Sequence, residues 1–155
     1  MAVVDLTDLP PAGALFGLDL GEKTIGVAVS DATRAIASPL ELIRKTKFTA
    51  EAARLFKLID ERQVAGVVIG LPVNMDGTEG ARCQSNRAFA RNLIRLRDLP
   101  IAFWDERMSS MAVNRMLIGE ADVTRARRAE LVDKAAAAWI LQGALDRLRF
   151  PSHPA

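Results

Sequence analysis

The sequence predicts an α/β domain built on a mixed five-stranded sheet flanked by helices. Three observations lead there. Three strand-like segments follow one another early in the chain across short polar turns, which makes them antiparallel neighbours. A continuous apolar run, Gly66-Val67-Val68-Ile69, suits a strand covered on both faces. After it, apolar residues at helical spacing alternate with one more short apolar run, the pattern of parallel strands joined by helices.

The elements follow in order. Residues 1–13 read as a loose, flexible arm, because Pro10, Pro11 and Gly13 suit neither a helix interior nor a central strand. Strands are expected over 15–20, 25–30 and 35–43, with turns at Gly21-Glu22-Lys23 and Asp31-Ala32-Thr33. Ala52, Ala53, Leu55, Phe56 and Ile59 give residues 49–62 a helical period. The buried strand 66–69, a helix over 79–97, a strand over 101–104 and helices over 109–118 and 127–148 complete a βββαβαβαα order. The single domain spans 14–149, and the tail 150–155, rich in proline, is expected to be disordered.

Composition limits the function classes. A chain of 155 residues that is 50% hydrophobic and 26% charged can bury a core without disulfides or a structural metal, and is too apolar to be disordered. One Cys, Cys83, and one His, His153, exclude an internal disulfide and a Cys/His zinc cluster, and the place of His153 in the tail, outside any predicted element, disfavours a histidine-based nucleophilic site. No apolar stretch reaches the ~18 residues of a membrane span, and Asp5, Asp8, Pro10 and Pro11 break any signal-peptide pattern. A cytoplasmic protein without membrane contact is expected. Net charge is only +2, yet arginines crowd the second half, with Arg87, Arg91 and Arg95 on one helical face and Arg125, Arg127 and Arg128 clustered later.

Three acidic positions stand out against apolar surroundings. Asp19, in Gly17-Leu18-Asp19-Leu20-Gly21, interrupts a strand, where an unpaired carboxylate would be costly. A metal ion would compensate it, with the flanking glycines letting an ion or phosphate come close; hydrogen bonds from the turn at 21–24 are the alternative. Asp105 and Glu106 end the fifth strand, and if the strand persists they face opposite ways. One is then a ligand while the other pairs with Arg107 or a helix N-terminus. Asp133 precedes Ala135-Ala136-Ala137-Ala138, a slim helix able to lie close against a sheet and carry Asp133 to its edge. Carboxylates without His or Cys suit hard divalent cations, Mg²⁺ or Mn²⁺, and phosphoryl transfer is the chemistry that needs little more. The polar loop 71–80 and the basic stretch 119–128 are candidate substrate loops, and Lys23, Arg82, Arg107 and Arg125 candidate phosphate contacts.

These residues resemble the YqgF/RuvX family of Holliday-junction-resolvase-like nucleases, also described as pre-16S rRNA nucleases. The resemblance spans about residues 14–148 and rests on four motifs in order. They are Gly17-Leu18-Asp19-Leu20-Gly21 with Thr24-Ile25-Gly26-Val27-Ala28; Gly70-Leu71-Pro72 with Asn74-Met75-Asp76-Gly77 and Glu79-Gly80; Asp105-Glu106-Arg107; and Asp133 with its Ala-rich helix. It implies an RNase H-like fold, a cytoplasmic nuclease maturing the 5′ end of small-subunit rRNA, and nucleic acid, with ribosomal particles, as partner. By position, Asp19 would be the principal metal ligand, Glu106 or Asp105 the second and Asp133 the third. One departure matters. Many RNase H-like nucleases carry an acid at the end of the fourth strand, where Gly70-Leu71-Pro72 stands here. One Mg²⁺ in the free protein, with a second recruited by substrate phosphate, is the expectation that follows.

Rival readings remain in view. The Gly-x-Asp-x-Gly opening also occurs in sugar-kinase and Hsp70-type ATPases, which clamp ATP between two such domains where this chain supplies one. A non-catalytic nucleic-acid-binding module would use the arginines but gain nothing from carboxylates facing phosphate. Resolution of branched DNA would use the same metal chemistry as rRNA processing and calls for a symmetric dimer; monomer and homodimer both stay open.

Overall fold

The computed structural model describes residues 3–108 and 125–150, and within the last helix the side chains from residue 135 onward. Five strands form one sheet: β1 (Ala14–Leu20), β2 (Thr24–Ser30), β3 (Ala37–Arg44), β4 (Val64–Leu71) and β5 (Ile101–Asp105). Their order is β3-β2-β1-β4-β5. The β1–β2 and β2–β3 pairs are antiparallel, while β1–β4 and β4–β5 are parallel, the mixed sheet the sequence predicts. Three helices are described: α1 (Phe48–Arg62), α2 (Ala81–Leu96) and α3 (Arg125–Arg149).

Period-two alternation sorts β1 cleanly. Phe16, Leu18 and Leu20 join Ile25, Val27, Val67, Ile69 and Ile101 in a core under α1 and α2. The opposite face, with Leu15, Ala28, Val68 and Ala102, packs against Ala137, Ile140, Leu141 and Ala144 of α3. The small residues of α3 bring it very close. A Cβ built on Gly17 would stand 2.8 Å from the carbonyl oxygen of Ala137 and 2.6 Å from Cβ of Leu141. Gly17 is therefore occupied by a helix, and is not the opening for an ion or phosphate that the sequence suggests.

Two other expectations change. Residues 3–13 pack onto the fold where a loose arm is expected. The Val4 amide donates to the Ile101 carbonyl at 2.9 Å, and Leu9 is buried against the start of the sheet. Pro10 and Pro11 break regular structure, but the segment before them still covers the edge of β5 and buries Leu9. The third strand starts two residues later than expected, because the Asp31 carboxylate accepts the amides of Ala35 and Ile36 and holds 31–36 as a turn. A short 3₁₀ turn, Glu106–Met108, follows β5 directly. The expected helix over 109–118, the loop up to residue 124 and the tail 151–155 lie outside the described residues.

Candidate active site

The alternation that packs α3 also gathers the acids. On β1, Leu15 and Gly17 face α3, so Asp19 lies on the same face at the strand's C-terminal end. On β4, Val68 and Gly70 face that way; on β5, Ala102 and Trp104 do, and Glu106 continues the row. The register pairs Leu18 with Ile69 and Gly70 with Trp104, so Gly70 sits between the acid of β1 and the acid beyond β5. With no side chain there, Glu106 folds over β4: a Cβ built on Gly70 would stand 3.0 Å from both Cγ and Cδ of Glu106. The missing fourth-strand acid thus makes room for the carboxylate that follows β5.

Burial pushes the Glu106 carboxyl up to about 7, the negative charge of Asp19 adds to the shift, and Arg82 partly opposes it. Arg82, on the first turn of α2, also donates to the Leu20 carbonyl at 3.4 Å. Asp19, Glu106 and Arg82 therefore form one electrostatic cluster at the C-terminal ends of β1 and β4.

Asp105 has a different task. Its carboxylate receives Nε and Nη2 of Arg107 at 3.0 and 2.6 Å and the Arg107 amide at 2.9 Å, and this pairing holds it below the usual carboxylate range. Nη1 of Arg107 reaches the carbonyls of Asn74 and Met75, at 3.4 and 3.3 Å. The loop it grips is closed by its own bonds, Gly77 amide to Asn74 carbonyl, Asn74 amide to Thr78 carbonyl and Thr78 hydroxyl to Asp76. Arg107, a candidate phosphate contact by sequence, stands here as a brace between β5 and the loop.

Lys23 is exposed in the β1–β2 turn beside the acids. Of the arginine stripe, Arg87 is committed to Glu79 at 2.7 Å and lies over the Phe103 ring, while Arg91 and Arg95 are exposed. Arg125 begins α3 and Asp133 lies within it, but their side chains fall outside the described residues. Among the described residues no three His, Cys, Asp or Glu side chains form a metal cluster. Sequence reasoning missed Asn86, a buried amide on α2 that donates to the Gly70 carbonyl at 2.9 Å and fixes the end of β4. Its signal was a polar residue on the apolar face of a helix.

The model of the family described as "RuvX: Holliday junction resolvase" matches residues 13–147. This chain belongs to the RuvX family. Its relatives include proteins named "Putative pre-16S rRNA nuclease" from Phenylobacterium zucineum, 79% identical, and Caulobacter vibrioides, 65% identical. Each alignment covers 96% of this chain and 99% of the relative. Among solved structures, RuvC of T. thermophilus in complex with a Holliday junction substrate superposes with a TM-score of 0.56 at 16% identity, over 88% of this chain and 96% of that one. That likeness assigns the RuvX chain the RNase H-like fold of RuvC. Family and fold together make it a nuclease, a hydrolase of phosphodiester bonds. No helix among the described residues is long and apolar enough to cross a membrane.

Proposed function

We propose that this RuvX protein is a divalent-metal-dependent endonuclease of the cytoplasm that trims the 5′ end of pre-16S rRNA, with precursor ribosomal particles as its partner. The observation that carries the reading is the convergence of Asp19 and Glu106 on one face of the sheet, across a glycine that leaves them room. Two carboxylates held close enough for one to raise the other's proton affinity are a poor arrangement for a binding module and a good one for a cation. The donor set is oxygen only, which fits Mg²⁺ or Mn²⁺. Asp19 and Glu106 would hold the ion, with Asp133 as a third ligand. Asp133 lies one helical turn before Ala137, toward the Asp19 end of β1, because α3 runs antiparallel to that strand.

A bound divalent cation would supply an oriented, acidified water and charge stabilisation at phosphorus. The protein does the rest. Glu106 would hold the ion as the carboxylate, and Arg82 would offset the negative charge around it. Lys23 and Arg125 are assigned to neighbouring phosphates. Asp105 and Arg107 fix the loop 74–78 beside the site. With no acid on β4, the free protein is expected to hold one ion tightly, the second arriving with the substrate phosphate.

The names of close relatives favour rRNA over branched DNA, while the family description and the RuvC likeness keep the four-way junction as the comparison substrate. The deciding experiment cleaves an end-labelled precursor-rRNA fragment and a four-way DNA junction with Mg²⁺ or Mn²⁺, with Asp19→Asn as control. Metal-dependent cutting of the rRNA, lost in the variant, is the expected result. Faster cutting of the junction would transfer the proposal to resolution, and binding without cutting, unchanged in Asp19→Asn, would overturn the nuclease assignment.

A further inference from the structure

Beyond Asp19 and Leu20, the β1–β2 turn and the end of β3 enclose an open pocket of about 550 Å³ lined by Glu22, Lys23, Thr24, Arg44 and Lys45. Its frame is held by backbone hydrogen bonds. Thr24 is the register partner of Arg44, the Lys45 amide donates to the Lys23 carbonyl at 2.9 Å, and the Gly21 amide donates to the Thr24 carbonyl at 2.9 Å. Three cationic side chains and one acid leave the pocket with a net positive charge. Among the described residues no carboxylate pairs with Lys23, Arg44 or Lys45, whereas Arg54, Arg87, Arg97 and Arg107 are each held by an acid. The uncommitted cations of the molecule thus include a group on a rigid frame next to the catalytic acids.

We propose that this pocket is a phosphate subsite for the nucleic-acid strand, receiving the backbone one or two nucleotides from the bond that is cut. Its location supports a strand over a free anion. Thr24 lies one residue past the Leu20–Ile25 pair, and Arg44 is on β3, two strand spacings or roughly 10 Å from β1. A phosphate seated there is a neighbour of one seated at Asp19 and Glu106, and both belong to one strand lying across the C-terminal end of β1. An open pocket rimmed by long flexible cations suits a passing backbone better than an enclosed small molecule. Glu22 at the rim weakens the attraction, which gives the subsite a variant of opposite sign.

The subsite rests on the nuclease reading, and one experiment separates their failures. Binding of a labelled single-stranded precursor-rRNA fragment is measured by fluorescence anisotropy in chelator, from about 50 to about 200 mM salt. The double variant Arg44→Ala with Lys45→Ala is expected to bind about ten-fold more weakly, with the slope of log affinity against log salt shallower by about 1.4, two single-strand phosphate contacts. Glu22→Gln is expected to bind more tightly. The charge-matched control is Lys57→Ala with Arg62→Ala on α1, where Arg62 lies near the start of β1 at the other end of the sheet. Equal slopes in the two double variants, or no tightening in Glu22→Gln, would overturn the subsite while leaving the nuclease reading intact. A wild-type chain that binds neither this RNA nor a DNA junction would overturn both.

Discussion

Gly70 faces the Glu106 side chain so closely that a Cβ on Gly70 would stand 3.0 Å from its Cγ and Cδ, and 2.5 Å from Cδ1 of Ile140. All three atoms belong to side chains, so the fold can yield. Gly70→Ala is expected to cost about 1–3 kcal/mol, the range of a small overpacking. The larger effect falls on activity. With Glu106 holding the ion as proposed, moving its carboxylate by about 1 Å is enough for a loss near 100-fold, so kcat should fall between about 10- and 100-fold while the protein stays folded. Urea unfolding and a cleavage assay on the same preparation measure both, and full activity in Gly70→Ala would remove Glu106 from the site.

The same carboxyl predicts a pH dependence of the metal-free chain. Its folded value, about 7, lies above the ordinary 4.5, so the folded state favours the protonated form. The stability this contributes is complete below about pH 4.5 and is lost as the pH rises through 7, on the order of 3 kcal/mol in total. Burial is its main cause, Asp19 and Asp105 add to it, and Arg82 opposes it. In Glu106→Gln there is no proton to lose. Unfolding in chelator at about pH 5 and about pH 8 should therefore show wild type losing stability relative to the variant, and added Mg²⁺ or Mn²⁺ should restore it only in wild type. Parallel pH profiles for the two proteins would contradict the placement of Glu106 beside Asp19.

Much of this was legible in the sequence, for reasons that differ by element. The mixed sheet could be read because its antiparallel half is joined by polar turns and its buried strand by an unbroken apolar run, local signals that tertiary contacts reinforce. The family motifs pointed to Asp19, to Glu106 or Asp105, and to Asp133, while the division of labour between Asp105 and Glu106 depends on where β5 stops. The strand ends at Asp105 and a 3₁₀ turn takes over at Glu106, a boundary that periodicity cannot place to one residue. Gly17 and Gly70 read alike as openings for a ligand or a missing acid. Only the packing shows that a helix fills one and a carboxylate the other. Leu9 was hidden behind two prolines, because nothing local says which distant surface a short apolar segment will meet.

Arg107 is expected to act through the loop it holds. The ion pair with Asp105 is about one-third exposed, so Arg107→Ala should cost little stability. Losing the bridge to the carbonyls of Asn74 and Met75 should nonetheless free the loop. Faster amide exchange at Gly77 and Thr78 and about a ten-fold fall in kcat/KM are the expected outcomes. Arg107→Lys should not rescue them, since a single ammonium cannot span a carboxylate and two carbonyls. Asp105→Asn removes the anchor from the other side, and the double variant should be no worse than either single one. Strict additivity would mean the two residues work apart.

Gly17 offers the sharper test of how α3 is seated. A Cβ there meets the Ala137 carbonyl oxygen at 2.8 Å and Cβ of Leu141 at 2.6 Å, neither of which can swing aside as the end of a flexible side chain does. The helix itself must lift, and with it the buried contacts of Ala137, Ile140, Leu141 and Leu145. Gly17→Ala is therefore expected to cost more than Gly70→Ala, about 3 kcal/mol or above. Because α3 also carries Asp133, tight cation binding should weaken along with stability, which calorimetric titration with Mn²⁺ would register. Adding Leu141→Gly removes one obstruction and leaves the Ala137 carbonyl in place, so it should recover part of neither property unless the helix shifts to a new register. A Gly17→Ala protein as stable as wild type would show that α3 does not lie against β1 at this distance.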